Sequence, residues 1–206
     1  MKKPKSVRSL EDFGRVRLSK SFYMRDFMYS EISTFHGIPN IPDQPDVAIE
    51  SCKILCEELL EPLNDTFGRI SIFSGYRSPS VNQFGNENDF NCSSNEANYA
   101  SHIFDYRDKN DSMGATVSLV IPWFADQLDS GKSWVDLAWW IHDHLPHCGL
   151  CFFRELAAFN ISWHETNKEK TIFSYIDPKG TLTKKGMSNY DGDHSEYYSY
   201  FPKLNK

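Results

Sequence analysis

One segment of the sequence combines a histidine with several carboxylates, the side chains that bind metal ions and move protons. It reads SHIFDYRDKNDSMGATVSLVIP and covers residues 101–122. Asp105 follows His102 by three residues, and Asp108 and Asp111 continue the same spacing. Imidazole nitrogen and carboxylate oxygen are common zinc ligands, so this segment is a candidate metal site. The DYRDKND part only loosely resembles a calcium loop, because it lacks the central glycine and final glutamate, and a solvated loop is the favoured interpretation.

The cysteines form a weaker candidate for a metal site. Cys148 and Cys151 have the spacing of half a structural zinc site, and Cys52 and Cys56 would have to supply the other half. The latter two are four residues apart among apolar residues, a spacing that places both on one buried helix face. Core packing is therefore favoured over a four-cysteine zinc site.

Two further histidine groups have structural interpretations. His142 and His144 project about 200° apart on a helix, so they cannot share an ion, and with His147 they are expected to interact with the helix end. Asp193 and His194 adjoin in the tail. This pair is expected to be structural, although a tail that folds back over the metal candidate is an alternative.

The periodicity of apolar residues predicts the elements that must position these side chains. Apolar residues recur at steps of three and four across residues 46–67, which predicts a helix that Pro62 bends and Gly68 ends. RISIF predicts a strand, and SGYRSPSVN predicts a loop that opens a second helix. The polar, asparagine-rich residues 85–100 show no period, and so long a loop is typical of a functional segment.

The second half of the chain is predicted to contain most of the strands. ATVSLVIP predicts a buried strand, and SWVDLAWWIHDHLP predicts a helix with a capping box formed by Ser133 and Asp136. Strands are expected at residues 150–153, 160–165 and 171–176. Helices precede antiparallel strands, so the predicted class is α+β, with a small antiparallel sheet and helices packed on one side.

Composition limits the possible functions and locations. The chain has 206 residues, 40% of them hydrophobic, and a net charge of −6, which argues against nucleic-acid binding. No apolar run is long enough to span a membrane, and no apolar signal core follows the basic start. We therefore expect cytoplasmic synthesis without a signal peptide. Residues 1–17 are predicted to be a basic arm, 18–176 the folded domain, and 177–206 a polar, tyrosine-rich extension.

A resemblance to a known family is carried by four segments: LSKSFYMRDFMYSEISTFHGIPNIP, LCEELLEPLNDTFGRISIFSGYRSPSVN, SH and ISWHE. Together they resemble the zinc peptidases that cleave D-alanyl-D-alanine and related peptidoglycan stem peptides. This family includes phage endolysins and D,D-carboxypeptidases. The resemblance covers residues 18–165, and its most specific part is SGYRSPSVN together with the preceding helix, which ends in EPLNDTFG. It implies the zinc D,D-peptidase-like (hedgehog-like) fold.

The resemblance also implies roles for individual residues. His102 and His164 match the two zinc-binding histidines, and Arg77 matches the arginine that holds the substrate's carboxylate or carbonyl. Zinc in such enzymes lowers the pKa of its bound water to about 7. Two roles have no clear match. Ser118 stands where the aspartate ligand belongs, and Asn160, near the position of the general base, cannot accept a proton at neutral pH.

Nearby carboxylates are the possible replacements. Asp105 is the expected third ligand beside His102 and His164, whereas Glu165 should turn away from an ion on the neighbouring His164, since adjacent strand residues point to opposite faces. The expected function is that of a peptidoglycan stem-peptide peptidase-like protein of phage or prophage origin with an altered zinc site, which leaves open whether zinc is bound and whether the protein is an active zinc metallopeptidase. The alternative is a non-catalytic virion component that keeps only the fold, with phage structural proteins as partners and YYSYFP as a contact.

Overall fold

The fold is a mixed α+β arrangement around one open sheet. The computed structural model describes residues 1–154 and 157–204. Within them the sheet has six strands in the order β1-β2-β4-β3-β5-β6. All neighbours are antiparallel except β3 and β5. The strands are β1 Ser71–Ser74, β2 Gly114–Val120, β3 Gly149–Phe152, β4 Phe159–His164, β5 Thr171–Ser174 and β6 Gly180–Lys184.

Helices precede and interrupt the strands. The α-helices are α1 Val7–Gly14, α2 Glu31–His36, α3 Pro45–Leu55, α4 Glu61–Phe67, α5 Pro79–Glu87, α6 Asn95–Asn98, α7 Pro122–Asp129 and α8 Trp134–His144. One 3-10 turn covers Met24–Phe27. The predicted α+β class is confirmed in this coarse form, with a sheet that is mostly antiparallel.

The long helix predicted across residues 46–67 is interrupted in the turn that precedes Pro62. A π-helical turn, Cys56–Leu60, separates α3 from α4 and comes just before Pro62. Proline has no N–H to donate, and a wider turn is one way in which a helix accommodates the missing bond. Gly68 follows the last residue of α4 with a φ of 80°, a conformation that glycine adopts easily.

The two faces of the sheet differ in chemistry. On β2 the apolar residues Ala115, Val117 and Leu119 are fully buried and face the core, where α3 packs against β2 and β4. The residues between them, Thr116 and Ser118, face the other side. Antiparallel pairing places Thr116 opposite Ser162 and Ser118 opposite Asn160, so the polar side chains of β2 and β4 share one face.

Both predicted extensions contribute to the fold. Residues 1–17 include α1, with a capping box between Ser6 and Ser9, and its Phe13 is fully buried in the core. Beyond residue 176, β6 pairs with β5 at the edge of the sheet, and Phe201 is 9% exposed in the core. Residues on both sides of 18–176 therefore pack on the same core and the same sheet. Among the described helices, none has the length and apolar character needed to cross a membrane.

Candidate functional site

The polar face of the sheet forms the floor of an open cleft of about 730 Å³. Strands β2, β4, β3 and β5 contribute to it, and part of the asparagine-rich segment at residues 85–100 forms a wall. The lining residues are Arg77, Phe90, Asn91, Ser93, Ala97, Asn98, Ser101, His102, Thr116, Ser118, Gly149, Leu150, Cys151, Phe153, Asn160, Ser162, Thr171 and Tyr175. Two predicted site residues, Arg77 and His102, therefore lie in one cleft.

A buried asparagine holds the loop that carries Arg77. The Asn40 side-chain amide donates to the Tyr76 carbonyl at 2.8 Å, and its oxygen accepts from the Ser78 N–H at 2.7 Å. Ser78 in turn caps α5 by accepting from the Val81 N–H. Because the residues on both sides of Arg77 are fixed, the backbone that carries the guanidinium is fixed as well.

His102 reaches the cleft because its segment packs directly on β2. The Thr116 N–H donates to the Ser101 carbonyl at 3.0 Å, and the Arg77 N–H donates to the His102 carbonyl at 2.8 Å. Gly114 permits this approach, since a Cβ there would lie 2.2 Å from the Ala100 carbonyl oxygen. The glycine therefore sets how closely the histidine segment lies on the strand.

Two neutral side chains, those of Ser118 and Asn160, form a chain of hydrogen bonds that ends at His102. The Ser118 hydroxyl donates to the Asn160 oxygen, and the Asn160 amide lies 3.5 Å from His102 Nε2. His102 Nδ1 faces the Gly75 carbonyl at 3.4 Å. An amide donor on Nε2 and a carbonyl acceptor on Nδ1 together favour the neutral tautomer with its proton on Nδ1.

Burial keeps His102 uncharged. The side chain is 6% exposed, and the loss of hydration lowers its pKa to about 3, assisted by the positive charge of Arg77. The hydrogen bond with the Gly75 carbonyl opposes this shift. At neutral pH the ring presents Nε2 to the cleft as a hydrogen-bond acceptor, but it is a very weak proton acceptor.

A second chain of hydroxyl groups crosses the same face. Ser101 Oγ lies 3.1 Å from Thr116 Oγ1, which lies 2.8 Å from Ser162 Oγ. Hydroxyl groups both donate and accept, so this row can match either kind of group on a ligand. The floor of the cleft is polar but carries no charge.

Arg77 is the single charged side chain among the described lining residues. Its one side-chain hydrogen bond within the described chain goes to Cys92 Sγ at 3.1 Å, and a thiol is a weak acceptor. No described carboxylate forms a salt bridge with it. The guanidinium therefore retains donors that a ligand can use.

Asp105, the predicted third zinc ligand, points away from the cleft. It is fully buried, and its Oδ2 accepts the backbone N–H groups of Asp43, at 2.7 Å, and Gln44, at 3.2 Å. Its carboxylate therefore supports the start of α3. Burial raises its pKa, although these backbone hydrogen bonds act in the opposite direction.

His164 lies at the far end of β4 from His102. It pairs with Gly114, whereas Asn160, the neighbour of His102, pairs with Ser118. Four residues along a strand span about 13 Å. His164 Nε2 lies 3.3 Å from Asp108 Oδ2, and its Nδ1 accepts the N–H groups of the following turn.

The residues present do not fit the zinc site that the resemblance implies. The three predicted ligands, His102, Asp105 and His164, have separate partners and do not converge. The groups beside His102 are an amide and a hydroxyl, which are poor zinc ligands. Among the described side chains, no three from His, Cys, Asp and Glu are arranged to hold a metal ion.

The acidic loop forms a turn rather than a metal site. Asp108 Oδ1 accepts from the N–H groups of Asn110 and Ser112, both at 2.9 Å. The Ser112 N–H is the largest cause of the lowered Asp108 pKa. Spacing in the sequence favoured Asp105 as a histidine partner, but the structure gives that role to Asp108, beside His164.

The histidines of α8 and the tail also have separate partners. His142 Nε2 faces the Tyr190 carbonyl at 2.8 Å, and His144 Nδ1 faces the Trp140 carbonyl at the same distance. His194 pairs with Asp143 rather than with the adjacent Asp193. The expected pair of Asp193 and His194 is therefore not formed, and the tail lies on α8 rather than over the cleft.

The tyrosine-rich tail packs on the same chain. The Tyr198 hydroxyl donates to Asp143, and the Tyr200 hydroxyl donates to Asp136. Phe201 packs among aromatic residues of the core, including Phe67 and Trp123. Of the YYSYFP residues, Tyr198, Tyr200 and Phe201 therefore have partners in the same chain, whereas Tyr197 is 43% exposed.

The sequence did not single out the aromatic end of the cleft. Phe153 and Tyr175 stack with ring centroids 6.1 Å apart and planes 12° apart, on the side of the cleft opposite Arg77. The available signal was alternation, because Thr171, Phe173 and Tyr175 occupy every second position of one predicted strand.

Comparison with protein-family models, curated proteins and solved structures finds no match for the chain.

Proposed function

We propose that this chain is a peptidase-like binding protein that holds a peptide by its carboxylate and does not cleave it. The observation that carries the proposal is Arg77, a partly buried cation without a carboxylate partner among the described residues, in a cleft whose floor is otherwise neutral. A guanidinium binds a carboxylate through two parallel hydrogen bonds, which gives both affinity and orientation.

The rest of the cleft favours a neutral, polar ligand body. Ser118, Asn160 and the row of hydroxyl groups offer donors and acceptors without charge. The D-alanyl-D-alanine end of a peptidoglycan stem peptide has this chemistry, because it consists of uncharged amide-linked residues and ends in a carboxylate. The resemblance of SGYRSPSVN and its preceding helix to the stem-peptide peptidases favours the same class of ligand.

The side chains around the cleft do not favour hydrolysis. His102 is a very weak base, because its pKa is about 3. Burial raises the pKa of Cys151, so its thiol remains protonated at neutral pH. A general base needs a pKa near the working pH. No carboxylate is found among the described lining residues to take that role.

Binding can be tested with a stem peptide that ends in D-alanyl-D-alanine. Titration calorimetry should show binding of the free acid, and its C-terminal amide should bind at least about tenfold more weakly, since a charge-assisted hydrogen bond contributes about 1.5–3 kcal/mol. Arg77→Gln should reduce affinity for the acid to that for the amide. Arg69→Gln is the matched control, because Arg69 is exposed and outside the cleft.

Equal affinity for the acid and the amide would contradict the proposal. A second assay addresses cleavage directly. Release of D-alanine from the same peptide, with and without added zinc, should stay at the level of the blank. Release that disappears in both His102→Ala and Arg77→Gln, with their folds checked by circular dichroism, would instead establish a peptidase.

A further inference from the structure

One backbone carbonyl sets the direction of the hydrogen bonds beside His102. The Gly75 carbonyl lies 3.4 Å from His102 Nδ1 and can only accept, so Nδ1 carries the proton and Nε2 carries a lone pair. The Asn160 side chain therefore turns its NH2 group toward Nε2, at 3.5 Å. Its oxygen then faces Ser118, whose hydroxyl donates to it.

The opposite orientation of the Asn160 amide is disfavoured at His102. If the amide were turned over, its oxygen would face the lone pair of Nε2. Moving the imidazole proton to Nε2 would relieve that contact but would leave the lone pair of Nδ1 facing the Gly75 carbonyl oxygen. Either arrangement places two acceptors together where little water reaches, since His102 is 6% exposed, and such a contact is unfavourable. His102 and Ser118 therefore hold the amide in one orientation.

Asn160 retains one N–H that these contacts do not use. The amide nitrogen carries two hydrogens, and only one of them can face Nε2. Within the described chain the nitrogen has no other acceptor. Asn160 is half-buried, pairs with Ser118 across the two strands, and lines the cleft together with it. Its second N–H is therefore available to a ligand.

Arg77 and Asn160 adjoin the same histidine. The Arg77 N–H donates to the His102 carbonyl at 2.8 Å, and the positive charge of the guanidinium acts on the His102 ring. A guanidinium has donors only, and the unused group of Asn160 is a donor as well. This end of the cleft therefore offers two separate sets of donors to one ligand. A peptide with a free carboxylate has two matching acceptors, because the carbonyl oxygen of its last peptide bond lies one residue from the carboxylate.

We infer that Asn160 is a specificity-determining residue, which donates an N–H to the carbonyl oxygen of the last peptide bond while Arg77 holds the carboxylate. Ser118 and His102 are positioning residues, since they keep the Asn160 amide in its donating orientation. This inference rests on the proposed function, and it adds a requirement for the ligand. The ligand needs a carbonyl group next to the residue that bears its carboxylate.

The contact can be tested with two ligands and two proteins. The ligands are the stem peptide that ends in D-alanyl-D-alanine and its E-alkene isostere, which keeps the extended shape of the last peptide bond but has no carbonyl. Calorimetry should show that Asn160→Ala weakens binding of the peptide about fivefold, as expected for one neutral hydrogen bond. The same variant should change binding of the isostere by less than about twofold, because the contact is already absent.

Ser118 provides a test of the positioning role. Ser118→Ala should weaken binding of the peptide, but not of the isostere, by about threefold, because the Asn160 amide loses the donor that orients it. Ser118→Thr keeps a hydroxyl and should restore the difference between the ligands. Ser112→Ala is the matched control, since Ser112 is buried and its hydroxyl lies 3.0 Å from Thr166 Oγ1, outside the cleft. That variant should bind both ligands normally.

The orientation of the amide can be measured without a ligand. Nitrogen-15 NMR distinguishes the two neutral tautomers of an imidazole, and the His102 signals are those missing from His102→Gln. Protonation of Nδ1 at neutral pH is expected, and protonation of Nε2 would overturn the inference because the Asn160 oxygen would then face the ring.

The binding outcomes separate this inference from the proposed function. If Asn160→Ala weakens both ligands by the same factor while Arg77→Gln still reduces affinity for the free acid, the Asn160 contact is overturned and carboxylate binding through Arg77 stands. If the peptide acid and its C-terminal amide bind equally well, the proposed function fails, and the inference fails with it. A difference between the ligands that depends on both Asn160 and Ser118 supports the inference.

Discussion

His102 and His164 are expected from the sequence to serve one metal ion, yet they lie in opposite surroundings. His102 is buried beside an amide and a guanidinium, so it stays neutral and accepts a hydrogen bond. His164 lies at the end of its strand, beside the carboxylate of Asp108 and the turn that follows. One histidine lines the cleft, and the other stabilises a turn.

This difference shows that the pairing of residues between β2 and β4 determines the surroundings of each histidine. Ser118 lies opposite Asn160, and together they place neutral groups beside His102. Gly114 lies opposite His164, which leaves that ring to the acidic loop. Gly114 is also where both regions meet, because it contacts the segment that precedes His102.

The largest effect is expected from a methyl group added at this meeting point. In Gly114→Ala the new Cβ would lie 2.2 Å from the Ala100 carbonyl oxygen and 3.0 Å from that of Trp163. Both are backbone atoms, so the strand or the loop must move, and we expect the free energy of unfolding to fall by about 3 kcal/mol or more. Urea denaturation measures this loss.

Gly149→Ala is the matched control on the same sheet. Its new Cβ would make ordinary contacts with Ser162, at 3.6 and 3.7 Å, so stability should change by less than about 1 kcal/mol. Equal losses in the two variants would show that the close approach at Gly114 does not hold the histidine segment.

The next effect is a change in acid sensitivity through His102. Its folded pKa of about 3 lies below the unfolded value of 6.5, so the unfolded chain binds more protons between these values. Stability due to the neutral ring is therefore complete above pH 6.5 and is lost as the pH falls toward 3, by at most about 1.4 kcal/mol per pH unit.

His102→Gln should remove this contribution, which amounts to about 2 to 3 kcal/mol between pH 7 and pH 4.5. Burial also lowers the pKa of His142 and His147, so the quantity to measure is the difference between the variant and the original protein. Urea denaturation at both pH values gives that difference. The same pH dependence in both proteins would rule out a buried neutral His102.

The smallest effect is expected at the other histidine. His164→Gln removes the contact between His164 Nε2 and the Asp108 carboxylate near the surface, and should cost at most about 1 kcal/mol of stability. Asp108→Asn should cost a similar amount, and the double variant little more, since both changes remove one contact. A loss above about 3 kcal/mol in His164→Gln would contradict this expectation, because the His164 contact would then contribute as much to stability as the close approach at Gly114.

Regular elements were predictable because their residues follow a period. The Ser133 and Asp136 capping box marks the start of α8, as expected, and β2, β3, β4 and β5 lie close to their predicted positions. The polar segment before Ser101 contributes residues to the cleft, as its length indicated. Periodicity alone also placed Ser118 and Ser162 on sheet strands, where alternation assigns them to faces.

Partners across the chain were not predictable in the same way. Asp105 and Asp108 have equal spacing in the sequence, but a loop has no period that tells which carboxylate faces which neighbour. The position of Asp105 depends on N–H groups about sixty residues earlier, at Asp43 and Gln44. The pairing of Ser118 with Asn160 depends on strand register, which the predicted strands did not supply.

The packing of Phe201 has a consequence for folding during synthesis. Its ring contacts Phe67, Trp123 and Phe124, which leave the ribosome much earlier. Until Phe201 emerges, these large apolar side chains lack part of their cover, and exposed apolar surface of this kind promotes aggregation and binding by chaperones. The final packing of this core therefore waits for Phe201 and depends on contacts between residues far apart in the chain, which form slowly.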